Sequence, residues 1–140
     1  LLTWIPWDNN MALADGFGGR SLIMKGSTSR TMPLDLSTVS SDWPLIRFLM
    51  DDLVYRALYD EYLAVTIQGA FEPAKMEATY RRLHDLIAPY VVGENGEQPG
   101  YTHLASAADF ETALEALVTH VNARFTLAQD YLSSRLAASN

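Results

Sequence analysis

The stretch from Phe110 to Leu136 constrains this chain more than any other. Phe110, Leu114, Leu117, Val121, Phe125, Ala128, Leu132 and Leu136 recur at spacings of three or four residues without a break. Only an α-helix gathers that period onto one side, so the spacing predicts a long final helix with a continuous apolar stripe. Ser106 stands where its cap is expected.

Two further stripes are candidates to cover this one. Asp42 is placed to cap a helix whose first turn holds Pro44, where a missing N–H costs nothing; Leu45, Phe48 and Leu49 give it a short apolar face ending by Met50. Asp51 then recaps, and Val54, Leu58, Tyr62 and Val65 form a stripe on a helix that stops near Gly69. Pro73 opens a third helix with Met76, Tyr80, Leu83 and Ile87 as its stripe, and Pro89 limits its far end to at most one kinked turn more. Residues 93–100, with three Gly and one Pro among polar side chains, read as a surface loop. The expected core is the meeting of the second and third stripes with Leu114, Leu117, Val121 and Phe125, with Leu117 buried. Tyr55, Tyr59, Tyr62 and Phe71 are read as part of that core rather than as a stacking platform.

Ahead of residue 42 the pattern changes. Leu1-Leu2-Thr3-Trp4-Ile5-Pro6-Trp7 reads as a strand, and Ser21-Leu22-Ile23-Met24-Lys25 as a second short strand ended by Gly26, with Gly-, Ser- and Thr-rich loops between and after them. The fold class expected is mainly α. One domain is divided into residues 1–41 (strand and loops) and residues 42–140 (a helical lobe attached to the edge of a sheet). The chain opens on Leu1 inside a strand, which reads as a fragment of a longer domain. At 140 residues, 49% apolar and 19% charged, it has the material for one core and not the balance of a disordered chain. A net charge of −7 argues against a nucleic-acid partner and against a polybasic membrane tether. Zero cysteines exclude disulfides and thiol chemistry, and no apolar run is long enough to span a membrane.

Chemistry concentrates at Trp7-Asp8-Asn9-Asn10. A carboxylate and a carboxamide two residues apart at a strand end are both able to turn toward one hard cation, and such oxygen ligands suit magnesium held with nucleotide phosphates. The same pair equally makes an Asx turn that closes the strand. Asp15-Gly16-Phe17-Gly18-Gly19 offers backbone N–H groups to a phosphate, or serves as a flexible turn. His84, His103 and His120 share no metal-ligand spacing and are read as surface or helix-packing residues. Lys75, Arg81, Arg82, Asp85, Asp60 and Glu61 are assigned to solvated helix faces.

Taken in order, Trp7-Asp8-x-Asn10, a Gly-rich stretch, Pro44-Leu45-Ile46, Tyr55-Arg56 with Tyr59, Phe71-x-Pro73, Ile87-Ala88-Pro89, Phe110-x-x-Ala113, Asn122-x-Arg124 and Leu132 resemble the C-terminal part of the spore coat protein H (CotH) kinase family. The resemblance runs through nearly all of the chain. It implies the helical lobe of an atypical protein-kinase-like α+β fold that binds ATP and magnesium and phosphorylates Ser of protein substrates. It further implies a place in the bacterial spore coat, at the cell surface or outside the cell. On this resemblance Asp8 holds magnesium on the nucleotide phosphates, and Asn10, where the family often has Asp, supports it as a second ligand to metal and cofactor. The phosphate-facing basic residues and the catalytic base belong to an N-terminal portion not in this sequence, so no catalytic residue is assigned. A second reading is a surface-displayed or spore-coat structural interaction domain without catalysis. The strand edge at Leu1–Trp7 is expected to pair with a neighbouring copy, giving self-association, or to be covered by the chain's own loop.

Overall fold

A computed structural model describes residues 33–98, 100–102 and 104–138. Both expected strands, and with them the sheet edge, lie outside those residues. The described part is helical: α1 (Pro44–Asp51), α2 (Leu53–Gln68), α3 (Pro73–Val91) and α4 (Ala107–Ala138), with no strand among the described residues. None of these helices is long and apolar enough to cross a membrane.

α4 is the axis of the arrangement. Its 32 residues span about 48 Å; α3 and α2 both pack on it, and α1 packs on α2. Phe110, Leu114, Val121 and Ala128 of its stripe are buried, Val121 with no exposed surface at all. Leu117 is half-buried rather than enclosed. Beyond the packed section Leu136 is 72% exposed.

The helix ends follow local chemistry, displaced in detail from the sequence reading. α1 begins after Trp43 with Pro44 in its first turn, and no side chain caps it; Asp42 instead accepts the Ser40 hydroxyl at 3.1 Å. The boundary between α1 and α2 is capped by Asp52, not Asp51, and one Asp52 carboxylate oxygen accepts the N–H groups of Val54 (2.8 Å) and Tyr55 (3.2 Å). Asp51 pairs with Arg47 one turn earlier. Glu72 caps α3 through the N–H groups of Ala74 and Lys75, which hold its carboxyl below the ordinary Glu range. α3 continues through Pro89 to Val91. The chain then folds tightly back on that end: a Cβ on Gly93 would lie 2.3 Å from the Pro89 carbonyl oxygen, so only glycine fits there. At α4 the capping carboxylate is Asp109, which accepts the N–H groups of Ala105 (2.8 Å) and Ser106 (2.9 Å) and the Ser106 hydroxyl; this is the reverse arm of a capping box.

The largest departure from expectation is α2. Val54 (69%), Leu58 (42%), Tyr62 (68%) and Val65 (63%) are exposed, so the stripe expected to join the core points away from it. Ile67 is buried, and Tyr59, Asp60 and Leu63 are half-buried, on the opposite side of the helix. On α3, Met76 and Tyr80 are half-buried while Leu83 and Ile87 remain exposed.

Candidate functional site

Asp8 and Asn10, the residues with the strongest chemical claim, lie outside the described residues, as does Asp15-Gly16-Phe17-Gly18-Gly19. The described structure begins at Pro33, and its first turn enters a polar cleft. The cleft, of about 280 Å³, is lined by Asp35 and Ser37 of that turn, Arg47 of α1, Arg56 of α2, and Tyr131, Ser134 and Arg135 of α4.

Side chains from the helices fix the turn. Tyr59 donates its hydroxyl to the Leu34 carbonyl at 2.8 Å, and Arg47 donates Nη1 to the Leu36 carbonyl at 2.7 Å. Leu36 has φ of 52°, a left-handed conformation that is unusual for a bulky side chain and is held here by the bonds around it. Asp35 accepts the Ser37 N–H at 2.9 Å, and this bond, the Ser37 hydroxyl and the nearby Arg56 and Arg47 guanidinium groups hold its carboxyl below the ordinary Asp range. Arg56 is aimed by its own backbone contact, with Nε 2.6 Å from the Met50 carbonyl.

The α4 wall is built around Asp60, whose side chain is 18% exposed. Its two oxygens accept the Tyr131 hydroxyl at 2.7 Å and Arg135 Nε at 3.0 Å, locking α2 to the last turns of α4. Burial, and then the bond to Asp60, push the Tyr131 hydroxyl well above its ordinary value, so it remains a proton donor and is unsuited to act as a base. Ser134 donates to the Tyr131 carbonyl. The cleft thus brings carboxylate, hydroxyl and guanidinium groups from the entering turn, α1, α2 and α4 together.

Asp60 is therefore not on a solvated face as its sequence neighbourhood suggests. The signal was present in part: Tyr131 and Arg135 are four apart on one side of α4. Their partner is 71 residues from Tyr131, which no local pattern reveals. Tyr59 joins the same cluster, its ring edge-on to Tyr131 with centroids 6.3 Å apart, whereas Tyr55 and Tyr62 are exposed and Phe71 is half-buried. Arg81 does lie on an exposed face, bridging Glu77 and Glu115.

Of the three histidines, His84 has a described packing partner. His84 stacks on Phe110 with ring centroids 3.9 Å apart, its Nε2 buried without a hydrogen-bond partner and 3.8 Å from Glu111 Oε1. His120 is half-buried on α4, and His103 lies outside the described residues. Among the described residues no group of three or more His, Cys, Asp or Glu is placed to hold a metal ion.

A mainly helical unit with a polar entry cleft is a fold that many functions share. The sequence model of the CotH kinase protein family matches residues 1–127, and the chain belongs to that family. No curated protein and no solved structure matches it. The matched range contains Trp7-Asp8-x-Asn10, all of α1 to α3 and most of α4.

Proposed function

We propose that this chain is the C-terminal, largely helical part of a kinase domain that transfers phosphate from ATP to Ser of protein substrates. The family match over residues 1–127 carries the reading, since it takes in the Asp8-x-Asn10 pair together with the helices. The donor set fits magnesium: one carboxylate and one carboxamide oxygen are hard ligands, and a magnesium site is ordinarily completed by water and phosphate oxygens. Bound there, the cation would neutralise charge on the transferring phosphate. Asp8 is the anionic ligand and Asn10 the neutral one that helps fix its geometry.

In this proposal the helical lobe positions rather than reacts. Arg47 and Tyr59 hold the turn at residues 33–36, through which the chain passes from the Asp8 segment into α1. Neither the phosphate-facing cations nor the catalytic base is assigned to residues of this chain. Phosphoryl transfer needs these parts together, because its acceleration comes from positioning and charge stabilisation.

The test is transfer of radiolabelled phosphate from ATP to a Ser-containing protein substrate by the full-length protein. Asp8→Asn should reduce labelling to background with the helical circular dichroism unchanged, because a neutral amide binds a hard dication far more weakly than a carboxylate does. Asn10→Ala should give a partial loss. Undiminished labelling by the Asp8 variant would move the metal site elsewhere, and absence of labelling by the unmutated protein would leave the interaction-domain reading in its place.

A further inference from the structure

We propose that the polar cleft between the entering turn and helices α1, α2 and α4 binds a phosphate anion, free or as the monoester of a serine side chain. Its lining gathers Arg47, Arg56 and Arg135, three of the chain's ten Lys and Arg residues, around one carboxylate, Asp35. In a chain of net charge −7 this lining is locally positive, which draws an anion to it. The volume of about 280 Å³ admits a phosphoryl group together with bound water.

The guanidinium groups are held in place and still keep donors to offer. Arg56 gives Nε and Nη2 to the Met50 carbonyl, and Arg47 gives Nη1 to the Leu36 carbonyl and Nη2 to Asp51, so each commits two of the five N–H groups a guanidinium carries. Among the described residues Arg56 is hydrogen-bonded to no carboxylate, so its charge is the least compensated of the three. Asp35 accepts from Ser37, while Asp51 and Asp60, which anchor Arg47 and Arg135, are not part of the lining. Arginines arriving from three helices suit a tetrahedral phosphoryl group, whose oxygens take donors from separate directions, better than a planar carboxylate, which one guanidinium fork fills. Anion binding here requires neither ATP transfer nor the Asp8 pair.

Calorimetric titration of the full chain tests this with two probes, inorganic phosphate and a short Gly-Ala peptide carrying one phosphoserine. Saturable binding is expected, weakened by about tenfold or more in Arg56→Gln, which removes the guanidinium charge. Because Arg56 also fastens the end of α1, Ser134→Asp is the second variant. It places a carboxylate at an exposed position of the cleft wall, should retain the helical circular dichroism, and should weaken binding comparably. Tighter binding of the peptide assigns the group to a phosphorylated protein, and tighter binding of phosphate to the free anion. The proposal is overturned by no saturable binding of either probe, or by binding that Ser134→Asp or a folded Arg56→Gln leaves unchanged. It is also overturned if ATP with magnesium binds more tightly than either probe and loses that binding in both variants, since the cleft would then belong to a nucleotide site.

Discussion

α4 and α2 carry apolar stripes of the same helical period, yet the structure treats them in opposite ways. In α4 the stripe is the core, with Phe110, Leu114, Val121 and Ala128 buried. In α2 the stripe of Val54, Leu58, Tyr62 and Val65 faces outward, while the helix binds α4 through Tyr59, Asp60, Leu63 and Ile67 on its other side. Period identifies a helix and its faces. It does not say which of two faces meets which neighbour, and α2 has two candidates where α4 has one.

Substitutions can break or sharpen this contrast. Leu114→Ala is expected to cost about 2–5 kcal/mol in denaturant unfolding, because its site is enclosed and the cavity cannot fully collapse. Leu117→Ala, at a half-buried position of the same stripe, should cost about 1–2 kcal/mol. Leu58→Ala, on the exposed outer face of α2, should cost less, below about 1 kcal/mol. If Leu58→Ala cost as much as Leu114→Ala, the two stripes would be energetically alike and the contrast would fail.

A second comparison concerns how each helix is fastened. α3 meets α4 through the stacked rings of His84 and Phe110 and the exposed Arg81–Glu115 bridge, whereas α2 is joined to α4 by the half-buried Asp60–Tyr131–Arg135 cluster. Asp60→Ala should therefore cost about 1–3 kcal/mol, because it leaves the Tyr131 hydroxyl without its acceptor and removes a charged hydrogen bond to Arg135. Tyr131→Phe should cost less, about 1 kcal/mol, as Asp60 keeps Arg135. Equal losses for the two variants would mean that the carboxylate contributes nothing beyond the Tyr131 bond.

Smaller effects discriminate between the caps. Asp52→Ala should lower stability by about 1 kcal/mol and Asp42→Ala by less than about 0.5 kcal/mol, since only Asp52 accepts N–H groups at a helix start. The pH response should be smaller still. Glu72 and Asp35 both have carboxyls held below their ordinary values by backbone N–H groups. Their contribution is complete above the ordinary carboxylate range and is lost as pH falls through that range and then through the lower folded-state values. Acid titration of Glu72→Gln should lose the part of the decline that belongs to the start of α3; an unaltered titration would remove Glu72 from that role.

Much of the helical lobe was legible because its signals are local. Pro73 at a first turn, Gly69 at an end and Gly93 in a tight return each act within a few residues, and the Phe110–Leu136 stripe repeats often enough to be unambiguous. The caps were harder. Asp51 and Asp52 are chemically identical neighbours, and which carboxylate turns toward the N–H groups depends on Arg47 engaging Asp51. Glu72 is a capping residue that sequence preference does not favour, and it serves because its longer side chain reaches Ala74 and Lys75. Of the candidate site, the Asp8-x-Asn10 pair was readable as chemistry, while the cleft of Asp35, Arg47, Arg56, Tyr131 and Arg135 was not, since its members come from four separate parts of the chain.

The sequence by itself determined the number and extent of the helices, the loop at residues 93–100 and membership of a family, because propensity, turn chemistry and ordered motifs are written in neighbouring residues. Only the tertiary structure decided that α2 turns Asp60 inward and Leu58 outward, and that Tyr59 and Arg47 grip the entering turn. Those choices rest on partners many residues away. Burial of Ile67, together with the bonds of Asp60 to Tyr131 and Arg135, selects one of two apolar faces that local sequence leaves equivalent.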